Sequence, residues 1–152
     1  MVITEVLFYD KNGNLIHQEK GRTLLKQFYI MFYSMLTGES VGYKLVSGSS
    51  GHDTFHTLDR ITKLVVGSGT TPVAYDDYKI ESELTGIDYG NLARSLFTDA
   101  TQCYIEVVRS VTETEGIDKQ INEVAIYEKT DYGDTCIDRI AVSYTHLTLP
   151  TN

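Results

Sequence analysis

Two histidines four residues apart, His52 and His56, stand out as a possible site of chemistry in this sequence. On a helix such a pair sits one turn apart and can hold zinc, with a carboxylate between them acting as general base. That chemistry needs a Glu after the first histidine and a third ligand from elsewhere. Here Asp53 takes the place of the Glu, and the stretch follows Ser47-Gly48-Ser49-Ser50-Gly51, a loop composition. Before residue 142 the only other histidine is His17. The pattern therefore predicts a solvated loop and no metal. Gly48-Ser49-Ser50-Gly51 is one residue short of a nucleophile elbow, and no base is placed to serve it.

Gly67-Ser68-Gly69-Thr70-Thr71-Pro72 invites a phosphate-loop reading, but it lacks the lysine and a following helix. A structural turn is expected, with glycines free to take positive φ and Pro72 fixing the exit. Asp76, Asp77, Glu81 and Glu83 cluster in sequence. Paired carboxylates hydrolyse glycosides when they face each other across a cleft. No pattern sets up such a cleft, so a hydrated rim is expected. Asp10, Asn12 and Asn14 alternate like calcium ligands, but Gly13 is out of step and no Glu follows at the twelfth position. Asp138 and Arg139 suggest a structural ion pair near a sheet edge, which when exposed contributes only ~0–1 kcal/mol. No catalytic residue, metal ligand or cofactor site is expected.

These residues must be held by elements the patterning suggests. Residues 3–18 read as a β-hairpin around Asn12-Gly13. Residues 22–36 read as the one helix: Leu24, Leu25, Phe28, Met31, Phe32 and Met35 recur at three- and four-residue spacing, and Gly38 stops it. Tyr29, Ile30 and Tyr33 widen the apolar stripe, so the helix is expected to pack on a sheet and also to meet another subunit. Residues 39–58 read as loop. Strands are expected at 60–66, 103–111, 121–127 and from 135 to 141; residues 91–97 fit either a short helix or a strand. In the 103–111 strand, Tyr104, Glu106, Val108 and Ser110 share one face, and Ile105, Val107, Arg109 and Val111 the other. Short strands separated by turns point to a mainly β fold. The expectation is an antiparallel β-sandwich, immunoglobulin-like or jelly-roll-like, with one amphipathic N-terminal helix.

Residues 142–152 are a separate matter. Back-translated, Val-Ser-Tyr-Thr-His-Leu-Thr-Leu-Pro-Thr matches a transposon-end sequencing adapter read in one frame. We therefore expect a non-native tail and a metagenomic gene product cut short before its closing strand. The expected organisation is a hairpin over 1–20, a helix-plus-sandwich domain over 21–141 and the tail over 142–152. The tail is uncharged, so the net charge of −8 belongs to the rest. An acidic domain repels phosphate backbones and anionic lipid, so neither nucleic acid nor a membrane is an expected partner. No apolar run nears the ~20 residues of a membrane helix, and no signal peptide is visible. Cys103 and Cys136 both sit in strand-like runs and are expected as buried free thiols, a bridge between neighbouring strands being the alternative. Eleven Tyr with no Trp fit a surface built for contact through tyrosine.

Several segments resemble a family of small structural proteins of tailed bacteriophages, common in gut viral metagenomes. The matching pieces are the aromatic helix Leu24-Leu25-Lys26-Gln27-Phe28-Tyr29-Ile30-Met31-Phe32; the strand and turn from Leu64 to Pro72, with the Asp-Tyr-x-x-Glu follower Asp77-Tyr78-Lys79-Ile80-Glu81; Val107 to Gly116 leading into Ile121 to Tyr127; and Cys136-Ile137-Asp138-Arg139-Ile140. The hairpin over residues 3–18 matches less well. The resemblance implies a non-enzymatic virion component of the tail or head surface. It would be assembled in the host cytoplasm, be homo-oligomeric and contact other virion proteins. Phe28, Tyr29, Phe32 and Tyr33 are the candidate assembly residues. The alternative is a carbohydrate- or receptor-binding module of an adsorption apparatus. There Tyr75, Tyr78 and Tyr89 would stack on a surface glycan while Asp76 and Asp77 accept from its hydroxyls.

Overall fold

The structure, a computed structural model, describes residues 5–21, 24–55 and 61–147. The start of the first hairpin, the first residue of the expected helix, Arg22, and His56 lie outside them. The chain is mainly β with one helix, and every strand pair is antiparallel. In order the elements are β1 (Glu5–Tyr9), β2 (Leu15–Lys20), α1 (Lys26–Thr37), β3 (Val41–Lys44), β4 (Ser50–Asp53), β5 (Ile61–Gly67), β6 (Ile87–Thr98), β7 (Cys103–Glu113), β8 (Lys119–Thr130) and β9 (Gly133–Leu147). A three-stranded sheet in the order β5-β8-β9 forms the centre, and β1-β2, β3-β4 and β6-β7 are two-stranded ribbons around it.

The central sheet is buried on both faces, which explains its nearly continuous apolar runs. One face carries Val65, Ala125, Tyr127 and Cys136, packed with Leu25 and Ile80. The other carries Leu64, Val66 and Val124, covered by Val6 and Phe8 of β1 and Val111 of β7. Met31 of α1 packs with Tyr43, Leu45, Phe55 and Ile137 in a third cluster.

The expected hairpin and its turn are present. Asp10 holds the turn by accepting from the backbone N–H groups of Asn12 (2.8 Å) and Asn14 (2.9 Å), and Gly13 has φ +83°. The alternating Asp-Asn-Asn pattern is thus spent on turn geometry. Residues 91–97 are strand. The segment read as loop, 39–58, contains the β3-β4 ribbon instead. Its Gly- and Ser-rich composition hides the pairing, which is set by burial of Tyr43, Leu45 and Phe55 under α1. Val46 N–H donating to Asp134 O (2.8 Å) and the Thr135 hydroxyl donating to Lys44 O (2.8 Å) tie it to β9.

The helix starts four residues later than the spacing suggests. Leu25 is an extended cap residue whose N–H donates to Ile137 O (3.0 Å), while Lys26 N–H donates to Tyr75 O (2.9 Å). Neighbouring segments thus satisfy the first helix donors without a side-chain cap. Gly38 ends the helix in the left-handed region, as expected, with its N–H on Ser34 O (2.8 Å). The buried helix residues are Gln27, Met31 and Ser34; of the expected stripe, Phe28 and Met35 pack partly against the Met31 cluster and Phe32 is exposed. Gln27 Oε1 accepts Lys44 N–H (2.9 Å), and Ser34 Oγ accepts Phe55 N–H (2.9 Å) while donating to Glu39 O (2.6 Å). Replacing Ser34 with Ala leaves the buried Phe55 N–H without its acceptor and should cost about 1–2 kcal/mol. Thermal unfolding of that variant checks this; an unchanged midpoint means the N–H has another partner.

Past Ala141, where a domain boundary is expected, the β8-β9 register shifts, between the Glu123–Ala141 and Ile121–Thr145 pairs, but the strand does not end. Strand β9 continues to Leu147, pairing Leu147 with Lys119 and Thr145 with Ile121, and Val142 is buried beside Val66 and Val124. Of the cysteines, Cys136 is buried as expected but Cys103 is exposed; both are free. Burial pushes the Cys136 thiol well up from its ordinary pKa. Cys103 opposes Thr98 at the tip of the β6-β7 ribbon, where none of the described residues covers it.

Candidate functional site

The densest polar cluster sits on the Ala125 face of the central sheet. Arg139 pairs across β8-β9 with Ala125, and Glu123 lies one pleat along on the same face, opposite Gly67 of β5. The Glu123 side chain is fully buried, and that of Arg139 is 3% exposed. Arg139 Nε donates to Glu123 Oε2 at 2.7 Å, one terminal nitrogen donates to Asp77 Oδ2 at 2.7 Å, and the other donates to Thr71 O at 3.0 Å. Glu81 Oε2 is 3.6 Å from the guanidinium. Glu123 also accepts three backbone N–H bonds, from Gly69 (3.0 Å), Glu81 (3.0 Å) and Ser82 (2.9 Å). The Thr71 hydroxyl, and then its N–H, bind the Glu81 carboxylate and hold it below the usual carboxylate range. Ile80 N–H is taken by the Tyr127 hydroxyl (3.0 Å).

This cluster corrects three expectations. Arg139 is not in an exposed pair with Asp138, because successive strand residues point to opposite faces; it is buried on the Glu123 side. Gly67 and Gly69 are not at positive φ. They are needed for close approach: a Cβ on either would lie 2.5 Å from Glu123 Oε1. The acidic run is not all hydrated rim, since Asp77 and Glu81 converge on the guanidinium while Asp76 stays exposed. The turn donors that a phosphate would need are taken inside the chain: Ser68 N–H by Ser82 O, Gly69 N–H by Glu123 and Thr71 N–H by Glu81. The cluster binds segments 67–72 and 76–83 to the sheet, and every polar group described in it has a partner inside the chain. Chemically it is a brace. Sequence reasoning missed Glu123 altogether.

The residues expected to read a glycan are not brought to one face. Tyr89 is a correction: it packs into the core beside Val65 and Val66, its hydroxyl accepts Val66 N–H (3.2 Å), and the Arg109 guanidinium lies 4.6 Å from its ring centre. Tyr78 is half-buried with Lys44 Nζ 3.7 Å from its ring centre, and Asp77 is engaged by Arg139. Tyr75 is exposed, its ring 6.1 Å from that of Tyr29. Asp76 lines an open cleft of about 340 Å³ with Lys26, Gln27, Ile30 and Tyr43. His52 lies on strand β4, exposed, with Nδ1 2.8 Å from Ser40 Oγ. Among the described residues no group of three His, Cys, Asp or Glu is placed to hold a metal ion, and no helix is long and apolar enough to cross a membrane.

The candidate assembly residues fare differently. Phe28 is half-buried and stacks on Phe32 at 6.1 Å with an interplanar angle of 7°. Tyr29, Phe32, Tyr33 and Leu36 recur at three- and four-residue spacing on the outer face, exposed by 41, 45, 48 and 72%. A second exposed apolar surface, not anticipated from the sequence, is the outer half of the β6-β7 ribbon. It bears Leu96, Phe97, Tyr104, Ile105 and Val108, with the Phe97 and Tyr104 rings stacked at 5.0 Å. The ribbon's turn is built on Asp99, whose carboxylate accepts the N–H and hydroxyl of Thr101 and the N–H of Gln102, lowering its pKa to about 2. The folded value lies below the ordinary 3.8, so ionised Asp99 stabilises the turn above pH ~4, and this is lost as pH falls toward 2. The backbone amide shifts of Thr101 and Gln102 should titrate with a midpoint near 2; a midpoint near 3.8 means a solvated carboxylate. Comparison of the chain with protein-family models, with curated proteins and with solved structures finds no match.

Proposed function

We propose that this chain is a non-enzymatic structural component of a bacteriophage virion, associated with the tail or head surface, that works by binding copies of itself and neighbouring virion proteins. It would be assembled in the host cytoplasm. The observation that supports this best is the outer face of α1: Phe32, Tyr33 and Leu36, with Tyr29, form a contiguous apolar stripe open to solvent. Contiguous exposed apolar surface of this kind marks interaction sites, and aromatic anchors carry much of the binding energy at interfaces. The polar clusters lend no support to catalysis, since their described groups bond to one another. The resemblance of the helix, the 64–72 strand and turn, and the 136–140 strand to phage structural proteins agrees with this reading. Size-exclusion chromatography with light scattering on the 152-residue chain tests it. An oligomer is expected, and a monomer over the whole accessible concentration range overturns the reading.

A further inference from the structure

Among the described residues, strands β6 and β7 pair only with each other. At the base of this ribbon one face is anchored. Val111 packs beside Val66, and the Arg109 guanidinium donates to Leu64 O (3.2 Å) and Gly90 O (3.0 Å). Beyond Arg109 the same face carries Arg94 opposite Val107, Leu96 opposite Ile105 and Thr98 opposite Cys103. There the body ends: Leu96 is 64% and Ile105 66% exposed. The inward face of the arm thus runs on past the core it packs against. A free two-stranded ribbon is marginally stable in water, so this overhang is stabilised by whatever covers it.

Size and charge indicate the occupant. Six residues of each strand make a surface roughly 20 Å long and 10 Å wide, about 200 Å² per face. A stable interface needs about 800 Å² from each partner. Two arms meeting face to face therefore fall well short, and they would leave the α1 stripe open. An arm laid on the α1 stripe of another copy is no larger per contact, but it covers both open apolar surfaces at once. Head-to-tail contact also gives each copy two such interfaces and closes into a ring if the rotation permits.

At net charge −8, copies of this chain repel unless cations are placed at the contact. On the inward face of the overhang the charged residue is Arg94. At the far end of the α1 stripe, the last helical turn carries no basic residue and Glu39 follows the Gly38 cap. The negative end of the helix dipole and a carboxylate coincide there without a cation from α1 itself. Arg94 precedes Leu96 by about 7 Å of strand, and Glu39 lies about one helical turn beyond Leu36, so the two apolar-to-charge spacings are comparable.

We propose that the inward face of the β6-β7 arm docks on the exposed stripe of α1 in a second copy of this chain, with Arg94 at the Glu39 end of that helix. This deepens the self-association reading and rests on it. In this arrangement Leu96 and Ile105 cover Leu36 and Phe32. Cys103, about 14 Å along the arm from Arg94, comes beside Tyr29, about 15 Å along the helix from Glu39.

The test uses the 152-residue chain with Tyr29→Cys, oxidised mildly and mapped by peptide mass spectrometry. Cys136 is buried, so Cys103 is the reactive native thiol. Disulfides between Cys103 of one copy and position 29 of another are expected; Cys103–Cys103 adducts alone, or none, overturn the proposal. A second arm uses charge. Arg94→Glu should weaken association at least tenfold, and Arg94→Glu with Glu39→Arg should restore it. No effect of Arg94→Glu, or no rescue, overturns the proposal. If the wild-type chain associates but both tests fail, the arm-to-helix contact is wrong and the self-association reading stands. If the wild-type chain is monomeric throughout, both fall.

Discussion

Arg139→Met should lower stability by about 3–5 kcal/mol, a drop in melting temperature of about 10 °C for a chain of this length. The size follows from burial. An exposed ion pair is worth ~0–1 kcal/mol, because water solvates either partner once the other is gone. Glu123 has no such recourse, being fully buried at the centre of the sheet. Removing the guanidinium leaves a buried carboxylate facing three N–H donors without a counter-charge, and it releases Asp77 and Thr71 O as well. Asp77→Asn and Glu81→Gln should cost much less, since those side chains are 24 and 41% exposed. Removing both buried charges, with Arg139→Met and Glu123→Leu, should be milder than the sum of the single changes. Thermal unfolding of these variants and of Glu123→Leu alone, followed by circular dichroism, decides this. A loss under 1 kcal/mol for Arg139→Met would mean water reaches the cluster.

The difficulty of reading this brace from sequence has a definite cause. Counting back from the turn after Thr130, which pairs with Gly133, a regular hairpin would set Arg139 opposite Val124 and so on the face away from Glu123. A bulge at Ile137 shifts the register by one residue and brings Arg139 opposite Ala125, beside Glu123. One-residue shifts exchange the faces of a strand, and no residue type in Cys136-Ile137-Asp138 announces this one.

The helix shows a different limit. Its existence, its Gly38 stop and the inward Met31, with Phe28 and Met35 beside it, were legible from spacing, but the buried Gln27 and Ser34 were not. With Phe28, Tyr29, Ile30, Met31, Phe32 and Tyr33 in succession, apolar periodicity cannot place a polar residue inside. The choice was made by backbone groups needing partners: Lys44 N–H and Phe55 N–H require acceptors, so Gln27 and Ser34 face in. Tyr29, Phe32 and Tyr33 were thereby left at the surface, while Tyr89, expected to stack on a glycan, packs against the core. The outer ribbon was hidden for a related reason. Residues 91–97 alternate weakly, and only pairing with the clearer strand at 103–111 makes them β.

Gly69→Ala should cost about 1–3 kcal/mol, and its cost should depend on Glu123. The new Cβ would meet Glu123 Oε1 at 2.5 Å and, on the other side, the Glu81 side chain at the same distance. Both are side chains, and Glu81 is held in place through its own N–H on Glu123 Oε2. In a Glu123→Ala background the Glu123 clash is gone while Thr71 still holds the Glu81 carboxylate, so adding Gly69→Ala should cost clearly less than in the parent chain. Gly67→Ala is the control that separates crowding by a side chain from crowding by backbone. Its Cβ would also lie 2.6 Å from the Ser82 carbonyl oxygen, and Leu84 N–H on Val66 O and Ser68 N–H on Ser82 O hold that strand-like contact independently of Glu123. Its cost should persist when Glu123 is removed. Urea midpoints for the single and double variants give the two coupling energies. Strong coupling at Gly69 with weak coupling at Gly67 is expected. Simple additivity at both positions would mean that the glycines are not there to admit the Glu123 carboxylate, and that crowding by Ser82 O and the Glu81 side chain selects them.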